Sequence, residues 1–268
     1  MERVNSYPTR EELDFYPFRG IQGTRREEWY NKWAVIEHTK LLFQKEGESM
    51  IEEFGRSPLP TKHGDWTYIV YGDKTTGEHH EALVFGNINN GAIGDGEDLL
   101  VRMHSSCRTN EVYDAINCEC RDELHESMEQ IKKEGRGVIL YLEQEGRGTG
   151  IAGKLAQLNG MFSWNDGHIE QRKDDKGEII DTDKAYKNAG FPSECRDFTV
   201  AGEMLEKLGV KSIRLLTNNP KKIEGIEKTG IKVTPVGIHI LPENEVIRSD
   251  LRSKANNLGH YISEDDLA

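Results

Sequence analysis

Two runs of strand length, each ending in a polar turn that opens a helix, constrain this chain more than any other feature. Val138-Ile-Leu-Tyr-Leu142 leads into Glu143-Gln-Glu-Gly-Arg-Gly-Thr-Gly150, and Ser212-Ile-Arg-Leu-Leu216 leads into Thr217-Asn-Asn-Pro-Lys-Lys222. A run as apolar as the first suits a strand covered on both faces. Strand, turn, helix in that order is the unit of an α/β layer whose functional loops gather at the strand ends. Leu99-Leu-Val-Arg-Met103 is a further strand, and Leu124, Met128 and Ile131 mark a helix that stops at Gly135. Phe198 to Leu208 reads as a helix capped by Gly209, Lys221 to Lys228 as a short helix, and Ile231 to Val236 as an edge strand because of Pro235. Earlier, Trp66 to Tyr71 alternates, Gly72-Asp73 marks a turn and Glu81 to Phe85 resumes a strand.

The fold class expected is therefore α/β, with a catalytic-sized body over residues 57–268 and an N-terminal helical extension over residues 1–56. Within that extension Trp29, Trp33, Ile36 and Phe43 share one helical face, which suits packing on the body or on a partner subunit. No chemistry is assigned to it. Gln171 to Glu178 is charged and turn-rich and reads as a solvated loop.

Composition narrows the function classes. A net charge of −12 argues against a nucleic-acid polymer as partner, since a phosphate backbone needs a basic surface, but leaves room for one anion in a local basic pocket. No apolar run is long enough to cross a membrane and Met1 to Arg10 is not an apolar leader, so a cytoplasmic protein is expected. Four cysteines in 268 residues do not resemble a disulfide framework, and three of them fall within 14 residues.

Those three, Cys107, Cys118 and Cys120, offer soft thiolates that suit zinc. The i, i+2 pair cannot share one helical face, which puts Cys118 and Cys120 in the turn entering the following helix. A helix N-terminus favours the ionised thiol. Three protein ligands leave a fourth position open, the arrangement of a catalytic metal. Ordinary buried cysteines, or a structural zinc closed by His104 or His125, fit the spacing as well. Three thiolates would also leave the site negative and weaken the metal as a Lewis acid, so an acid/base partner nearby is expected. Cys195, distant in sequence, reads as a pocket-lining residue and not a ligand.

The two turns add ligand chemistry. Glycines in Glu143 to Gly150 let backbone amides approach a ligand, and Arg147 offers a fork for phosphate or carbonyl oxygen. The amides and Lys222 at the second turn suit a polyphosphate. Each turn alone is equally compatible with a tight structural turn or a solvated helix start.

Together these segments resemble GTP cyclohydrolase II, a zinc enzyme that opens the guanine ring of GTP at the entry to riboflavin synthesis. The similarity runs from about Leu59 to His260. It takes in Leu59-Pro-Thr61 with Gly64-Asp65, Val101 to Ser105 before Cys107, Cys118-Glu-Cys120 and Gln144-Glu-Gly-Arg147. It continues through Cys195-Arg-Asp-Phe-Thr199, Leu215 to Lys222 and Lys254 to His260. The resemblance implies a layered α/β/α core of that family's type, a homodimer, and Cys107, Cys118 and Cys120 as ligands of one zinc per subunit. Arg102, Met103, His104, Ser105 and Ser106 would line the nucleotide site with Glu123, Glu145, Gly146, Arg147, Thr182, Thr217 and Lys222. Arg196 matches the nucleophile toward the α-phosphorus, releasing diphosphate, and Glu194 the general base. Magnesium would accompany the triphosphate, and a zinc-activated water would attack C8, opening the imidazole ring and then releasing formate.

Four positions depart from the family pattern. Glu194 stands where the family usually has Asp, Glu123 where it has Gln and Ser106 where it has Glu. Leu158 falls where the family places a tyrosine, and leucine can donate neither a proton nor a hydrogen bond. Residues 160–178, with Trp164, Asp166 and His168, look inserted, either as a longer surface loop or as a lid. These departures leave three alternatives open: a reaction that stops at the formylamino pyrimidine, a related hydrolase acting on another nucleotide such as a pyrimidine nucleotide, or a nucleotide binder without turnover.

Overall fold

The computed structural model describes residues 49–89 and 91–267. Strands β1 (Ile51–Thr61), β2 (Gly64–Asp73) and β3 (His79–Phe85) form an antiparallel meander. A small ribbon, β4 (Ile88–Asn89) with β5 (Ala92–Ile93), precedes β6 (Leu99–Ser105). Next come α1 (Arg108–Tyr113), α2 (Cys120–Glu134), β7 (Gly137–Leu142) and α3 (Gly150–Met161). The second half contains β8 (Phe162–Asn165), β9 (His168–Gln171), α4 (Thr182–Asn188) and α5 (Thr199–Lys207). It ends with β10 (Ser212–Leu216), α6 (Pro220–Glu227), β11 (Lys232–Val236) and α7 (Glu245–Leu258).

Seven strands join one mixed sheet in the order β1-β2-β3-β7-β6-β10-β11. The four from β7 to β11 are mutually parallel. Alternation along the central strands feeds two cores. Val101, Met103, Val138 and Leu140 pack with Ala201, Met204 and Leu205 of α5 on one face. Leu100 and Ile139 pack with Met128 and Ile131 of α2 on the other. The α/β/α layering is thus the consequence of strands apolar on both sides. Each fully buried Val, Leu, Ile or Met side chain among these contributes about 1.5–3 kcal/mol by leaving water.

The boundaries follow local chemistry. Gly135 ends α2 in the left-handed conformation at φ 84°, and the Asn219 side chain caps α6 by accepting from the Lys221 amide, with Pro220 opening the helix. Pro235 lies on β11 at the sheet edge. The sheet takes up residues 51–56 of the stretch assigned to the extension, because β1 begins at Ile51. The Trp29, Trp33, Ile36, Phe43 stripe lies outside the described residues. The segment expected as a long loop carries a hairpin: Phe162–Asn165 pairs with His168–Gln171 across Asp166-Gly167, both at positive φ. Its cross-strand pair Trp164 and Ile169 is exposed. No helix of the described residues is long and apolar enough to cross a membrane.

Candidate active site

Parallel neighbours β7, β6 and β10 put their C-terminal ends side by side, and the loops leaving them line one cleft of about 950 Å³ including its open mouth. Such a crevice is where an α/β sheet binds ligands. The start of α2 and residues of α3, α4 and α7 complete the wall.

Cys107 follows β6, and Cys118 and Cys120 straddle the entry to α2. Asn110 holds that entry: its side-chain amide donates to the Ala115 and Cys118 carbonyls, and its oxygen accepts from the Arg121 amide. The Cys107 and Cys118 sulfurs lie 3.6 Å apart, and all three sulfurs fall within 4.8 Å of one another. Hydrogen bonds from Cys118 and Cys120 push the Cys107 thiol down, and bonds within the trio push those two up. The donor set fits zinc: three soft sulfurs at ligand spacing, with neither His104 nor His125 joining the group. His104 instead engages Glu111 through Nε2 at 2.9 Å.

Around the sulfurs, cations and carboxylates alternate. Arg102 donates to the Leu216 carbonyl at 3.0 Å and to Glu123 at 2.5 Å. Burial pushes the Glu123 carboxyl up, but Arg102, Lys254 and Lys222 together outweigh it and hold it at about 2. The acid at this position therefore neutralises Arg102. Lys222 donates to the Met103 carbonyl at 2.8 Å and is pushed well below the lysine range by burial, then by Arg102 and Arg196. Glu145, nearly buried, accepts from the Arg108 and Gly146 amides.

Arg147 has φ 56°, a strained left-handed conformation for a non-glycine residue. Its carbonyl accepts from the Cys195 amide at 3.0 Å. Gly148 allows this approach, since a Cβ there would meet the Cys195 carbonyl carbon at 2.9 Å. The two loops are stitched together and present Arg196, whose Nε donates to Glu194 at 2.7 Å and whose Nη1 donates to Ser105 at 3.3 Å.

Burial pushes the Glu194 carboxyl up, and the Arg196 guanidinium overrides this and brings it from 4.5 to about 2. A depressed carboxylate contributes stability above its unfolded value and loses it as pH falls through the folded one. The stability difference between wild type and Glu194→Gln is therefore expected to be constant above about pH 5 and to shrink by about 3 kcal/mol as pH falls toward 2. Urea unfolding at a series of pH values measures it. A difference that does not change with pH would contradict the ion pair.

Of the residues singled out from sequence, the cleft wall brings together Arg102, His104, Ser105, Ser106, Glu123, Glu145, Gly146, Arg147, Thr182, Arg196, Thr217, Lys222 and the three cysteines. Two are not in the wall. The Met103 side chain is fully buried in the core and only its carbonyl reaches Lys222, while Glu194 stands behind Arg196. Cys195, expected in the pocket wall, is not part of it either. Leu158 is half-buried and outside the wall. Sequence inspection missed Glu119, Lys154, Tyr186, Asp250, Lys254 and His260, all of which line the cleft. Lys254 bridges Glu119, between two of the cysteines, and Asp250, 3.0 Å away, while Asp250 lies 3.6 Å from Arg147. The Lys254 to His260 motif was the available signal.

Fold and site define a class: an α/β protein with a three-cysteine centre inside a cation-lined cleft at the ends of parallel strands. The family model described as GTP cyclohydrolase II matches residues 52–236, and the chain belongs to that family. Among curated relatives, the riboflavin biosynthesis protein RibBA of Endomicrobium trichonymphae is 35% identical over 225 residues, covering 83% of this chain and 50% of the relative. RibBA of Salinispora tropica is 38% identical over 228 residues, covering 83% and 51%. RibBA of Bacillus mycoides is 34% identical over 223 residues, again covering 83% and 51%. This chain thus spans about half the length of these relatives.

Proposed function

We propose that the chain is a zinc-dependent hydrolase that opens the imidazole ring of GTP at C8 and releases diphosphate and formate, giving 2,5-diamino-6-(5-phosphoribosylamino)pyrimidin-4-one. The observation that carries this is the meeting of Cys107, Cys118 and Cys120 with Arg147, Arg196 and Lys222 in one cleft. Cys107, Cys118 and Cys120 would hold the zinc. When bound, zinc supplies the Lewis acid that makes water nucleophilic near neutral pH. Magnesium with the triphosphate, a homodimer and a place in riboflavin synthesis belong to the same reading. We place the start of the catalytic domain at β1.

The chain's own residues do the rest. Burial and cationic neighbours disfavour the Lys222 ammonium, and a triphosphate beside it would supply the compensating negative charge. Glu194 fixes the Arg196 guanidinium through a bidentate pair, so its planar face and charge are set before substrate binds. Glu194 raises the Arg196 pKa against the effect of burial. A carboxyl held at about 2 is also a weak base. Charge neutralisation at the α-phosphate therefore suits Arg196 better than nucleophilic attack, which needs a proton removed first. The loop around Gly146 and Arg147, both at positive φ, fixes where the Arg147 side chain stands in the cleft wall.

A second reading, retention of the formyl group, is favoured by Leu158, which has no donor. Against it stands Tyr186, a buried phenol that α4 brings into the cleft, with Arg147 5.7 Å over its ring. Separate assays of diphosphate and formate after incubation with GTP distinguish them. Equal release supports the full reaction, and diphosphate without formate supports the shortened one. Release of neither contradicts both.

A further inference from the structure

Three thiolates carry three negative charges against the two positive charges of zinc, an excess that weakens the Lewis acid they hold. Lys154, on the second turn of α3, stands where that excess can be offset. Its Nζ donates to the Cys107 sulfur at 3.3 Å and lies 3.9 Å from Glu145 Oε1, with the side chain 8% exposed. The position is rigid. The Glu145 oxygens are already held by the Arg108 and Gly146 amides, and the Thr149 hydroxyl, which donates to the Gly146 carbonyl, occupies the space a side chain at Gly153 would need.

We propose that Lys154 is a charge-balancing, positioning residue for the three-cysteine centre. Its N–H···S bond draws electron density from the Cys107 sulfur, so that a metal held there keeps an acidity that three unassisted thiolates would remove. This rests on the zinc reading above. Neither the spacing of the cysteines nor the loop motifs point to Lys154, which lies seven residues after Arg147 on the helix that opens at Gly150.

Cobalt(II) in place of zinc tests it, because the thiolate-to-cobalt charge-transfer band reports how readily the sulfurs release an electron. In the full chain loaded with one equivalent of cobalt, Lys154→Met is expected to move that band to longer wavelength. Turnover with GTP is expected to fall about 10–100-fold. Lys154→Arg, which keeps the cation, is expected to show less than half of the shift. If Lys154→Met does not fold, Lys154→Gln against Lys154→Arg makes the same comparison. An unshifted band at full cobalt occupancy overturns the proposal, as does loss of cobalt without a shift, which assigns Lys154 a merely structural role. A wild-type chain that takes up no cobalt at its cysteines overturns the zinc reading itself, a result distinct from an unshifted band.

Discussion

Cys118→Ser is expected to strip the chain of its metal and of turnover while leaving the fold in place. Structural zinc held by four protein ligands binds with about 10–16 kcal/mol, about 3–4 kcal/mol per ligand, so exchanging one of the three thiolates here for a hard hydroxyl weakens binding by about 10²–10³-fold. The fold survives because the turn around residue 118 is held through its backbone: the Cys118 carbonyl accepts from Asn110, a bond that serine keeps. The melting temperature of the variant is therefore compared with metal-free wild type, since bound zinc stabilises the native state by mass action. Metal analysis together with a thermal melt and a GTP assay measures all three quantities. A variant that keeps one zinc per chain and full turnover would remove Cys118 from the ligand set.

The second large effect concerns Arg196. Arg196→Met is expected to lower kcat by about 10²–10³-fold, the usual consequence of removing one charge-stabilising group from a reacting centre. It also leaves the nearly buried Glu194 without its partner, which costs about 3–5 kcal/mol of stability. Those two consequences can be separated. Glu194→Gln combined with Arg196→Met removes the stranded charge, so most of the stability returns and turnover does not. Recovery of turnover along with stability would assign Arg196 to the fold alone.

The parts of the molecule legible in sequence are those whose signal is local. The i, i+2 spacing of Cys118 and Cys120 demanded a turn beside a helix start, and α2 begins at Cys120. Val138 to Leu142, apolar at every position, is the central strand β7 with residues in both cores. The end of α5 was one residue out, because Leu208 serves as the cap and Gly209, at φ +67°, follows it. In the 160–178 segment, expected as a surface loop or a lid, the Asp166-Gly167 pair is the local signal for the hairpin.

The cleft residues missed were those created by distance. Lys254 and Glu119 are 135 positions apart, and no periodicity links them. Lys154 carries no local signal in the sequence and becomes a partner of Cys107 only when α3 packs against the loop after β6. Met103 erred the other way. It lies inside a motif that does line the cleft, but strand alternation turns its side chain to the opposite face, leaving only the carbonyl near the site. Glu123 is the most informative departure, since its carboxylate neutralises Arg102 before any anion arrives.

The central claim is that these residues act together on the base of GTP. Mass spectrometry of GTP incubated with the zinc-loaded chain and magnesium tests it most directly. The account predicts a diaminopyrimidine ribose monophosphate, lighter than GTP by the formyl carbon and by diphosphate, that disappears in Cys118→Ser. GTP recovered intact from a fully zinc-loaded chain would contradict it.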